Sequence, residues 1–169
     1  MNLHPLFVHF PVALLTLYAV IEIVSIRKLS EKPYWFPLKA IILILGAISA
    51  IPALGTGLYL KNQAKALDYP ISRIMELHEL FGILTLAAFG LLALFYAINW
   101  ISKNRIYNSK LWTTLVKISN ILQRRPVAII TALIGLALIT ITGGLGGAMT
   151  HGLQADPFIA PILKFLFKL

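Results

Sequence analysis

The sequence predicts an all-α integral membrane protein, a four-helix bundle, and three observations predict it. Of its 169 residues 59% are apolar and 12% charged, a balance too hydrophobic for a water-soluble domain of this length. Four apolar runs, about residues 5–26, 36–60, 76–101 and 127–149, are each long enough to cross a hydrocarbon core as a helix, which takes roughly 17–25 residues. Charge or proline bounds every run, so the chain 1–169 reads as a single transmembrane domain.

The first run opens without a Lys or Arg in Met1-Asn2-Leu3-His4. A secretory signal needs a basic start and a small-residue cleavage site, so the run reads as a retained helix. Arg27-Lys28-Leu29-Ser30-Glu31-Lys32-Pro33 is a short turn to the second run, which makes the first two helices an antiparallel hairpin. The third and fourth runs form another hairpin with a longer connection. Within that connection Leu111, Leu115, Ile118 and Leu122 recur at helical spacing among Lys110, Lys117 and Arg124, the pattern of an amphipathic helix lying at the membrane surface. Pro126 suits the first turn of the fourth helix, where a missing N–H costs nothing. The tail 157–169, with Phe158, Ile162, Phe165 and Leu166 around Lys164 and Lys168, is too short to span and reads as a C-terminal interfacial helix.

Orientation follows from the bases. Arg27, Lys28, Lys32, Lys39, Lys103, Arg105, Lys110, Lys117, Arg124 and Arg125 share one face with a single acid, Glu31. The other face offsets Lys61, Lys65, Arg73, Lys164 and Lys168 with Asp68, Glu76, Glu79 and Asp156. The Lys/Arg bias therefore predicts a multi-pass protein of the cytoplasmic (inner) membrane with both termini extracytoplasmic. Trp35, Trp100 and Trp112 fall on the basic face, as interfacial anchors do. Because the bases flank spans, the sequence pI near 10 calls for the lipid bilayer as partner and not for nucleic acid.

The chain has no cysteine, which excludes disulfides, thiolate metal sites and covalent c-type haem attachment within it. Metal chemistry is left to His, Met, Asp and Glu. All four histidines, His4, His9, His78 and His151, fall where apolar runs open or close on the extracytoplasmic face. His9 and His78 lie a turn or two inside their runs, where an ionisable side chain is costly and functional by default. Glu22, the one acid well inside a span, sits about one turn from the inner end of the first helix, placed to snorkel to the cytoplasmic interface or to pair with Lys39 rather than to relay protons.

The two hairpins look like a repeat. His9 is followed by Ala13, Leu14-Leu15-Thr16-Leu17 and Ala19; His78 is followed at the same offsets by Gly82, Ile83-Leu84-Thr85-Leu86 and Ala88. Gly55-Thr56-Gly57 near the end of the second helix answers to Thr142-Gly143-Gly144 in the fourth. Two hairpins of equal topology imply a pseudo-two-fold axis along the membrane normal. This alignment expects His9 and His78 to face each other across a diagonal of about 12–14 Å, given neighbouring helices about 8–10 Å apart. That gap suits two imidazoles and one iron. It pairs His4 with Arg73 and His151 with Lys65, a ring of basic or hydrogen-bonding groups suited to haem propionates. Gly143 and Gly147, with Gly55, Gly57, Gly144 and Gly146, are expected to permit close helix contact or a flat macrocycle.

The expectation is a membrane electron-transfer protein that binds haem b through His9 and His78, with His4, His151, Arg73 and Lys65 as further cofactor contacts. Its redox partner would be a quinol or an extracytoplasmic redox protein. Three alternatives stand beside it. Copper suits His with Met75 and Met149 on the same face. Zinc suits His near Glu76 or Glu79, without any HExxH spacing. A non-catalytic accessory subunit of a larger membrane complex would use its histidines only to order helix ends.

The opening His4-Pro5-Leu6-Phe7-Val8-His9-Phe10-Pro11 resembles the start of a bacterial and archaeal membrane family, domain of unknown function 2231. Gly55-Thr56-Gly57, His78 with Gly82, Thr142-Gly143-Gly144 and His151-Gly152 resemble its later segments. The resemblance implies a four-helix protein, with relatives joined to c-type cytochrome or Rieske domains, and hence electron transfer at the outer face involving His4, His9, His78 and His151.

Overall fold

The computed structural model describes residues 4–24, 29, 31–67, 72–104, 109–152 and 159–167. These form six helices: α1 (His4–Val24), α2 (Trp35–Ala66), α3 (Arg73–Asn104), α4 (Lys110–Leu122), α5 (Arg125–His151) and α6 (Ile159–Phe167). Helices α1, α2, α3 and α5 are each long and apolar enough to cross a membrane. The expected all-α membrane bundle is therefore the architecture found.

The four expected spans are all present, and three of them are longer than expected, α2 and α3 the most. α2 and α3 each run 32 residues, about 48 Å at 1.5 Å per residue, well beyond the ~30 Å hydrocarbon core. Apolarity marks where the bilayer ends, and nothing in Lys61-Asn62-Gln63-Ala64-Lys65-Ala66 stops a helix there. α5 carries proline in its first turn, as the sequence predicts. Gly152, at φ 85°, releases the chain after α5, a backbone conformation that glycine adopts without a Cβ penalty.

α1 packs on α2 and α5, and α3 packs on the same two helices. The four spans thus close a ring in which α1 and α3 are diagonal. Along α1 the positions Pro11, Leu15, Tyr18 and Glu22 are buried; along α3 they are Thr85, Phe89, Leu92 and Tyr96. The two stripes have identical spacing, each residue of α3 lying 74 positions after its counterpart in α1. Two of these side chains fill matching notches: Leu15 seats over Gly46 of α2, and Phe89 over Gly135 of α5, where an added Cβ would fall 2.6 Å from Leu15 Cδ2 and 2.5 Å from Phe89 Cζ. The structure shows the repeat, with this register.

The other glycines correct the packing expectation. A Cβ added at Gly55, Gly143 or Gly147 would meet nothing within 4 Å, whereas close contacts lie at Gly57 and Gly146 of the expected set and, unexpected, at Gly46 and Gly135.

At the Trp-bearing end a polar cluster lies within the spans. Lys39 Nζ donates to Glu22 Oε1 and Oε2 at 3.0 and 2.8 Å, the pairing expected from sequence. Tyr96 donates to Glu22 Oε2 at 3.4 Å, and Tyr18 to the Tyr96 hydroxyl at 3.3 Å. Phe36 stacks on Tyr96 and meets Trp100 edge-on. α4 is capped by Ser109, which accepts from Trp112 N, and docks on α3 through Ser119 and Asn120. α6 contacts α5 and buries Ala160, while Ile162 and Phe165 stay exposed; Phe158, Leu166 and Lys168 lie outside what is described of this segment.

Removing one partner of a buried pair leaves an uncompensated charge, at a cost of about 3–5 kcal/mol. Lys39→Met alone is therefore expected to destabilise the protein by that amount in detergent unfolding, and Lys39→Met with Glu22→Gln by much less. Equal losses would contradict the burial of this pair.

Candidate functional site

The site begins with helix geometry. His4 and His9 are five residues apart on α1, about 140° around a helix of 3.6 residues per turn, so only one of them faces the bundle. His4 is that one: it precedes buried Pro11 by seven residues and continues the buried stripe. His9 is exposed, and its Nδ1 donates to the Pro5 carbonyl of its own helix.

Across the bundle, His78 continues the corresponding stripe of α3. The rings of His4 and His78 lie with centroids 6.4 Å apart and planes at 89°. The structure therefore brings His4, and not His9, together with His78. Physically, the expected His9–His78 pairing fails because its register of 69 residues puts His9 on the outer side of α1, while the register of 74 aligns His4 with His78.

Each imidazole has a seat on the neighbouring helix. An added Cβ at Gly57 of α2 would come 3.1 Å from His4 Cε1, and one at Gly146 of α5 would come 3.1 Å from His78 Cε1. Gly57 and Gly146 are 89 positions apart, as are Gly46 and Gly135, so the second helices repeat in register too. The space at this end, left open by sequence as helix contact or macrocycle room, is occupied at these two glycines by the imidazoles.

Hydrogen bonds then fix the tautomers. His78 Nδ1 lies 2.9 Å from the Thr142 carbonyl; a carbonyl only accepts, so Nδ1 carries the proton. His4 Nδ1 lies 3.0 Å from Thr56 Oγ1, and that hydroxyl has its own acceptors in the Pro52 and Ala53 carbonyls at 2.9 Å. The Ala53 carbonyl is also a partner of His4, the repeat counterpart of Thr142. In the neutral rings both protons sit on Nδ1, which leaves both Nε2 lone pairs as donors to an electrophile. Holding the far nitrogen this way is how proteins orient metal-binding imidazoles and raise their basicity. Thr85 and Thr142 meet through their hydroxyls at 3.1 Å, two turns deeper along α3.

The remaining candidates lie at helix ends on this side of the bundle. Lys65 and Arg73 are exposed in the last turn of α2 and the first of α3, and His151 is the exposed last residue of α5. In the observed register His4 answers to His78, so the pairings of His4 with Arg73 and of His151 with Lys65 do not hold. Lys61 instead ties α2 to α3 through an ion pair with Glu79, next to His78. Among the described residues no three or more His, Asp or Glu side chains cluster, the number of ligands a catalytic zinc ordinarily takes.

Sequence reasoning missed Gly57, Gly146 and the Thr142 carbonyl as imidazole supports. The signal was available in the constant spacings of 74 and 89. Gly57→Ala and Gly146→Ala are each expected to push an imidazole and cost about 1–3 kcal/mol by overpacking, whereas Gly143→Ala, facing open space, costs nothing comparable. Thermal unfolding of the three variants checks this; an equal loss at Gly143 would show that the seats are not special.

A family model described as a predicted membrane protein, DUF2231, matches residues 1–156. No curated protein and no solved structure matches the chain. With the four apolar spans in place and the match covering nearly the whole sequence, the chain belongs to the DUF2231 family of predicted membrane proteins.

Proposed function

We propose that this protein is a membrane electron carrier that holds haem b iron between Nε2 of His4 and Nε2 of His78. The observation that supports the reading is the pair itself: two imidazoles from diagonal helices, anchored through Nδ1, with centroids 6.4 Å apart. With Nδ1 of each ring engaged by its own hairpin, the two Nε2 atoms are the remaining donor atoms of the pair, and histidine nitrogen is a haem-iron ligand. When bound, haem supplies a one-electron couple. His4 and His78 would hold the iron, and Thr56, Ala53 and Thr142 would keep their Nδ1 protons in place and raise their basicity as ligands. On the Lys/Arg bias the pair lies at the extracytoplasmic side of the inner membrane, where a quinol or a partner redox protein exchanges electrons with it.

Copper(I) is the second reading, favoured by the tight seats. Rings packed against Gly57 and Gly146 present two nitrogen donors with no third His, Asp or Glu clustered among the described residues, and imidazole is a copper ligand.

Optical spectra and metal analysis separate the readings. Protein purified after expression with ample haem is expected to show a Soret band that His4→Ala and His78→Ala abolish and His9→Ala keeps. Stoichiometric copper without that band selects the second reading. Neither haem nor metal, or a band lost only in His9→Ala, overturns the proposal.

A further inference from the structure

We propose that α4 and the start of α5 form a binding surface for the headgroups of anionic phospholipids. α4 lies in a connection longer than that of the first hairpin. First helices repeat at 74 residues (His4 to His78) and second helices at 89 (Gly57 to Gly146), and the difference of 15 is close to the 13 residues of α4. The first hairpin closes without such an insert, so closing a hairpin does not require it.

α4 is nevertheless fixed in place. Ser119, fully buried, donates to the Phe95 carbonyl at 2.7 Å, and Asn99 Nδ2 donates to Asn120 Oδ1 at 2.7 Å. The side turned away from α3 has two edges. Lys110 and Lys117 are exposed and fall within about 20° of each other around the helix. Beside them Leu111, Ile118 and Ile121 are exposed, Leu111 to 71%. Arg124 and Arg125 extend the basic edge at the junction with α5.

Charge decides the occupant. The sequence has no acid between Glu79 and Asp156, Glu22 is engaged by Lys39, and Glu31 belongs to the other hairpin's turn. Lys103 turns back over the Phe36 ring, 3.6 Å from its centroid, which leaves Lys110, Lys117, Arg124 and Arg125 as the outward bases among the described residues of this connection. A water-soluble anionic partner would satisfy them and leave Leu111, Ile118 and Ile121 in water. A lipid satisfies both edges, its acyl chains covering the apolar one and its phosphate meeting the lysines.

The test uses the full chain in nanodiscs of phosphatidylcholine with graded phosphatidylglycerol, with retained lipid read by native mass spectrometry. Each base near an anionic surface contributes about fivefold. The variant Lys110→Gln/Lys117→Gln/Arg124→Gln is expected to lose phosphatidylglycerol preference by at least about tenfold. An equal removal of charge at the opposite end, Lys65→Gln/Arg73→Gln/Lys164→Gln, is expected to change it by less than about twofold. Lys110→Arg/Lys117→Arg/Arg124→Lys keeps the preference, and Leu111→Ser/Ile118→Ser weakens it with every base intact. Equal loss in both neutralised triples, no loss in either, or full preference in the serine variant overturns the proposal.

Discussion

Close seating of one side chain from the first helix of each hairpin against one glycine of the second is the constraint on which this structure depends. In lipid, apolar side chains gain little by meeting each other, since the acyl chains are as apolar as they are; packing at small residues and interhelical polar contacts decide which helices associate. Leu15 on Gly46 and Phe89 on Gly135 set the register of the two hairpins at mid-depth. The same register, continued about three turns toward the N-terminal end of α1, delivers His4 to Gly57 and His78 to Gly146. The imidazole pair is thus a consequence of hairpin packing: two diagonal helices are held by their neighbours at a separation that brings the rings edge to face.

The opposite end breaks this symmetry. At the positions of Glu22 and Lys39 the second repeat has Tyr96 and Ala128, so a single carboxylate collects its lysine from its own hairpin and a phenol from the other. Tyr18 and Phe36 extend that junction. A buried ion pair is weak evidence for stability by itself, but this one ties α1, α2 and α3 together about two turns from the Leu15–Gly46 seat. The bundle therefore has a symmetric end that presents two equivalent imidazoles and an asymmetric end where one carboxylate joins the two hairpins.

Much of this was legible in the sequence. Four spans follow from apolar run length, and Glu22 with Lys39 follows from the cost of a lone acid in a membrane. The extra turns of α2 and α3 were not, because hydropathy reports the bilayer edge and not the last helical hydrogen bond. The repeat was legible but its register was not. Leu-Leu-Thr-Leu against Ile-Leu-Thr-Leu is a cheap match in a chain 59% apolar, and it slid the alignment by five residues, enough to choose His9. The sparse residues carried the information: two histidines, four glycines and the two large side chains that fill two of those glycines. Gly143 and Gly147 had small-residue spacing without facing a partner, which only three-dimensional placement reveals.

The proposed chemistry depends on His4 and His78 being the facing pair with their protons on Nδ1. Solid-state NMR of histidine-labelled protein in bilayers tests this directly, with the four rings assigned through single His→Gln variants. The expected result is through-space cross-peaks between the His4 and His78 rings, Nδ1-protonated signatures for both, and no contact between His9 and His78. A His9–His78 cross-peak, or Nε2-protonated His78, would contradict it.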